Sequence, residues 1–200
     1  MTADRMPSTG HVDLHWIPLG AGGALPVVRW SGRAYEALTA KRDGRPRCDL
    51  YHAALQIWLD DRRFTLEMAP AWGQGHAGPG VLGEGPVGLR ALGASRFFRY
   101  EVRRWPDGVI PDLAFAASEP LRVCNEADCA QAVFDSVASV PLLAWGRDAF
   151  GTGDMWNSNS LVSWSLIKGG IDVDAVVLPA NGRAPGWSAG VFAARLSGTT

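Results

Sequence analysis

The chain has 200 residues, with 19 lysines and arginines against 20 aspartates and glutamates and a formal net charge of −1, length enough for one domain with an ordinary core. So even a balance, with no basic run longer than Arg103-Arg104, argues against a nucleic-acid partner. No stretch approaches the ~20 apolar residues of a membrane span, and the opening MTADRMPSTGHVD lacks the apolar centre of a secretion signal, so a cytoplasmic chain is expected.

In chain order, Val12, Leu14, Trp16 and Ile17 predict a first strand over 11–19, stopped by Pro18 and the glycines from Gly20 to Gly23. Ala34, Tyr35 and Leu38 stand at helical spacing, which predicts a helix over 30–41 with Ser31 as its cap. A hairpin follows: one strand over 50–59, a turn at Asp60, Asp61 and Arg62, and a returning strand over 63–68 closed by Pro70. Residues 71–86 are rich in glycine and proline and read as a long loop carrying a solvated His76. Strands are expected over 87–92 and 97–105, the second with Arg99, Arg103 and Arg104 on a solvent-facing edge.

Ala127, Ala130, Val133, Phe134 and Val137 form one stripe of a helix over 125–137, and a connector over 141–150 precedes a second helix over 157–168. Residues 173–178 read as a short strand or extended segment. The turn-rich tail 181–190 is expected to pack on the surface through Trp187. This order of elements predicts a single α+β domain over 1–200, an antiparallel sheet packed against a helix pair, with a helical insertion near 30–42.

Cys48, Cys124 and Cys129 cannot form a closed disulfide set and lack metal-ligand spacing, so they are expected to be reduced and structural, with no metal and no cofactor. High alanine, glycine and arginine with little lysine resembles the composition of a high-GC bacterial genome. Nine tryptophans are many for this length, enough for some to line a cleft.

The stretch WNSNSLVSW, from Trp156 to Trp164, lies between glycine-rich turn residues (Gly151, Gly153) and Gly169. It reads as a helix start, and Ser158 falls in the first turn, where free backbone N–H groups favour a developing anion. A helix capped by asparagine or serine explains the same residues without any chemistry. His52 opens an almost wholly apolar strand, a position that a structural histidine often fills. Glu67 alternates away from Phe64, Leu66 and Met68, which solvent exposure alone would explain. In a hairpin with a short turn, however, His52 and Glu67 lie toward the same open end, and a carboxylate beside an imidazole fixes its tautomer behind a general base.

The run from His52 through Asp60, the Glu67-Met-Ala-Pro70 segment, and the late Asn157-Ser-Asn-Ser-Leu-Val162 together resemble the circularly permuted papain-like proteins. That group includes the NlpC-like proteins, the lecithin:retinol acyltransferase and H-Ras-like suppressor acyltransferases and the PPPDE isopeptidases. The resemblance implies a permuted papain-like fold in which His52 is the base, Glu67 falls on an orienting second histidine, and Ser158 falls on the nucleophilic cysteine, 106 residues beyond His52. Ser160 would be the fallback nucleophile, and Asn157 or Asn159 a donor to an oxyanion.

Serine in place of cysteine, and the extra helix before His52, depart from the group's pattern. A hydroxyl needs more activation than a thiol. Two functions follow as expectations. One is a hydrolase or acyltransferase acting on an ester, thioester or amide; the other is a catalytically inactive module that binds a peptide or small ligand. An interaction protein of unrelated α+β fold is the plainer reading.

Overall fold

The computed structural model describes residues 9–23, 26–71, 80–110 and 112–198. Among these residues there are seven strands: β1 (Gly10–Pro18), β2 (Asp49–Leu59), β3 (Arg62–Pro70), β4 (Val81–Pro86), β5 (Arg99–Pro106), β6 (Leu121–Cys124) and β7 (Gly182–Arg183). Four α-helices accompany them: α1 (Pro26–Arg42), α2 (Ala127–Ser136), α3 (Ser158–Lys168) and α4 (Trp187–Leu196). The sheet runs β4-β5-β3-β2-β1-β6 with every neighbour antiparallel, and the two-residue β7 adds a parallel pairing to β2. The fold is therefore α+β, as the element order predicted.

Alternation sorts the strand residues onto two faces. Val12, Leu14 and Trp16 of β1, Ala53, Leu55 and Ile57 of β2, Phe64, Leu66 and Met68 of β3, and Tyr100 and Val102 of β5 all join one apolar core. Helices α2, α3 and α4 cover that face, with α3 in the middle. Every residue from Asn159 to Leu166 is buried, the mark of a helix enclosed on all sides. α4 crosses α3 closely at Gly190, where a Cβ would stand 2.2 Å from the Ser160 carbonyl oxygen.

The opposite face is polar yet buried: Asp13, His15, Gln56, Thr65, Glu101 and Arg103 are each less than a tenth exposed. The register places His52 and Glu67 on this same side. The chain after β5 closes over part of it, and Thr65 Oγ1 donates to the Gly108 carbonyl at 2.8 Å.

Several expectations are corrected. Residues 81–86 are not loop but the edge strand β4, hidden in the sequence because Gly85 stands where the Tyr100 ring lies, 2.3 Å from where a Cβ would be. His76 lies outside the described residues. The strand expected over 87–92 is a single bridge at Val87 followed by a 3-10 turn, Arg90–Ala94.

β5 is interior, so its arginines line no edge. Arg103 is buried against Glu101, Arg99 pairs with Glu84 at 3.0 Å, and Arg104 stacks on Phe134 while donating to its carbonyl. α1 begins at Pro26, which makes Ser31 an interior helix residue, and proline suits a first helical position. Of the short strand or extended segment expected over 173–178, residues 173–175 form a 3-10 turn and the chain leaves it extended at Val176, while the tail rises into α4, with Trp187 against Trp16 at 5.2 Å between ring centres. Cys124 and Cys129 are disulfide-bonded, not reduced, because the end of β6 and the first turn of α2 bring their Cα atoms to 6.5 Å.

Candidate functional site

β2 and β3 part company just where the site residues stand. Their pairing ends at Leu55 and Leu66; from Glu67 onward β3 pairs only with β5. The N-terminus of α3 enters the gap. Asn159 Oδ1 accepts from the Ala53 N–H at 2.6 Å and Asn159 Nδ2 donates to the Tyr51 carbonyl at 3.0 Å. One side-chain amide thus satisfies the β2 backbone that would otherwise be orphaned there. Ser158 and His52, 106 positions apart in sequence, each directly precede a member of that bonded pair, while the register turns the His52 side chain to the polar face, opposite the one on which α3 packs.

Local bonding fixes the helix start. Asn157 caps α3 by accepting from the Asn159 N–H at 2.9 Å, and Ser160 Oγ accepts from the Asn157 N–H at 3.0 Å, a reciprocal capping box. Gly186, at φ +94, makes room for this cap: a Cβ there would sit 2.1 Å from Asn157 Oδ1.

These bonds decide which expected roles remain open. Ser160 is fully buried and donates to the Gly186 carbonyl at 2.7 Å, so it is a structural hydroxyl and no reserve nucleophile. Asn159 spends both amide hydrogens, on the Tyr51 and Pro185 carbonyls, and has none for an oxyanion. Asn157 donates to Pro185 at 2.8 Å and keeps one hydrogen. Ser158 differs from all three. It is half-buried, its hydroxyl makes no hydrogen bond among the described residues, and as the first residue of α3 its N–H has no acceptor within the helix.

His52 lies opposite Ile17 of β1 and is half-buried. Burial pushes its pKa below the ordinary imidazole value, opposed in part by the negative charge of Asp112, so it is neutral at pH 7. Burial pushes Glu67 up, opposed by Arg103, its cross-strand partner. Among the described residues no hydrogen bond joins Ser158 to His52 or His52 to Glu67. The carboxylate whose charge reaches His52 is Asp112, a residue that in sequence resembles any turn aspartate after proline. Asp112 packs on Gly22 so closely that a Cβ on that glycine, whose φ is +75, would meet Oδ1 at 2.0 Å.

On the other side of Gly22 opens a cleft of about 980 Å³ between the first turn after β1, α1 and the start of β2, with Tyr51 and Leu50 in its wall. The described residues hold no group of three or more histidine, cysteine or acidic side chains placed for a metal ion, and no helix among them is long and apolar enough to cross a membrane.

Compared with family models, with curated proteins and with solved structures, the chain finds no match. The permuted papain-like likeness therefore stands on its sequence pattern, and the fold stands as α+β.

Proposed function

We propose that this chain is an acyl-transfer protein of permuted papain-like architecture, a hydrolase or acyltransferase that acts on an ester, thioester or amide of a small molecule or peptide. The observation that carries this reading is the docking of the α3 N-terminus onto β2 through Asn159, which bonds the residue after Ser158 to the residue after His52 and leaves the Ser158 hydroxyl free. In the proposed step, Ser158 Oγ attacks the carbonyl carbon while neutral His52 takes the hydroxyl proton. The oxyanion forms against the Ser158 N–H and the positive end of α3. The protonated histidine then returns the proton to the leaving group, and water or an acceptor alcohol or amine releases the acyl group. The likeness to the papain group casts Glu67 as the orienting residue; the negative charge that opposes the downward, burial-driven shift of His52 is that of Asp112, which favours Asp112 for that role.

The absence of a Ser158–His52 hydrogen bond favours a second reading, an inactive module that binds a ligand where α3 docks on β2. One experiment separates them. Labelling by a fluorophosphonate probe is expected for the native chain and is lost in Ser158→Ala and His52→Ala; robust labelling of both variants removes the catalytic reading. No labelling of the native chain, with thiol-probe reactivity appearing only in Ser158→Cys, assigns the binding module.

A further inference from the structure

The cleft beside α1 has a chemistry of its own. Its volume, about 980 Å³, is in the range of small-molecule sites. Pro18, Leu19, Leu50 and Phe115 give it apolar walls, and Arg33 and Arg47 bring two exposed guanidiniums. Neither arginine has a carboxylate partner among the described residues.

Two carboxylates also line the cleft, and they are not equivalent. Glu36 is clamped from behind: Arg45 Nη1 and Nη2 donate to its two oxygens at 2.5 and 3.1 Å, Arg183 Nη1 donates at 3.3 Å, and the Cys48 N–H at 2.8 Å. Those donors, the Arg45 bond first, hold its carboxyl down to about 2. With two guanidiniums answering one carboxylate, Glu36 does not repel an anion. Asp49 alone then stands against Arg33 and Arg47, and the cleft has a net cationic wall.

We propose that this cleft binds an anionic amphiphile, a carboxylate or phosphate joined to an apolar chain, with Arg33 and Arg47 receiving the anion. The assignment deepens the acyl-transfer reading and rests on it for the identity of the reacting end: Tyr51, in the cleft wall, adjoins His52, and Gly22, on the floor, touches Asp112. A substrate anchored by its charged head at the arginines would extend its acyl group toward that corner.

Calorimetric titration with octyl phosphate and with octyltrimethylammonium tests the site directly. Octyl phosphate is expected to bind, more weakly as salt is raised, and the cationic analogue to fail. Arg33→Gln/Arg47→Gln should weaken octyl phosphate at least about tenfold, the scale of one lost charge-assisted hydrogen bond, while Arg33→Lys/Arg47→Lys keeps most of the affinity. Equal binding of the two head groups, no binding of octyl phosphate, or an unchanged glutamine variant would overturn the proposal. Repeating the titration with Ser158→Ala keeps the two readings apart: octyl phosphate binding there supports the cleft assignment even where the chain labels with no fluorophosphonate.

Discussion

The two faces of the sheet are built from alternate residues of the same strands and are governed by opposite rules. Beneath α3, Leu55, Ile57 and Leu66 are apolar and at most 2% exposed, and their contribution is packing. On the other side His15, Gln56, Thr65, Glu101 and Arg103 are also buried, each less than a tenth exposed, but polar. There His15 Nε2 and Glu101 Oε1 lack a hydrogen bond. Burial without full satisfaction costs stability, and it is the condition under which titratable groups depart from their ordinary values. His15, His52 and Glu67 all lie on the polar face and all are shifted primarily by burial. One face therefore specifies the fold, and the other holds titratable groups displaced from their ordinary values by burial.

Substitutions on each face sharpen this contrast, beginning with the largest expected effect. Arg103→Met leaves Glu101, fully buried, with only the longer contact to Arg96 at 3.8 Å among the described residues and should cost up to about 3–5 kcal/mol. Replacing both members by apolar residues of similar volume should recover much of that loss, which urea unfolding of the single and double variants would show. On the apolar face, Leu166→Ala should cost about 2–5 kcal/mol by leaving a cavity; a loss under 1 kcal/mol would mean that α3 is not the enclosed centre of the core.

Asn159→Leu comes next. It removes the partners of the Ala53 N–H and the Tyr51 carbonyl, at about 1–3 kcal/mol for each buried group left unsatisfied. It should also release the α3 N-terminus from β2, seen as faster amide exchange at Ala53.

The effects of pH follow, and their signs differ. His15 and His52 have folded values below 6.5, so the unfolded chain takes up protons first and stability falls as pH drops below about 6.5. Glu36, held at about 2 against 4.5, adds a second loss as pH falls from 4.5 toward 2. Glu67 is shifted upward and works the other way: its ionisation destabilises the fold as pH rises above 4.5, so Glu67→Gln should stabilise the protein at pH 8 and not at pH 4. Urea midpoints measured from pH 4 to 8 check all three signs.

Much of this was legible in the residues. The hairpin of β2 and β3 announces itself by period and turn chemistry, and the cap of α3 by Asn157 and Ser160. The pairing of Ser158 with His52 rests on likeness alone, because nothing local in either segment points to the other. β4 was illegible because Gly85 yields to the Tyr100 ring and Gly83 to Leu142, so it lacks the side chains that mark a strand. Asn159 read as a donor to an oxyanion; its role as a substitute for a missing strand depends on where β3 diverges, a tertiary fact. Asp112 could not be told from a turn residue until the chain after β5 was placed beside β1 and β2.

The pH dependence of fluorophosphonate labelling, with the modified peptide identified by mass, tests the pairing of Ser158 with a buried neutral His52 most directly. The expected result is modification of Ser158 at a rate that is level above about pH 6.5 and falls only at lower pH, with the reaction abolished in His52→Gln. Modification at another residue, or at Ser158 with an unchanged rate in His52→Gln, would contradict it.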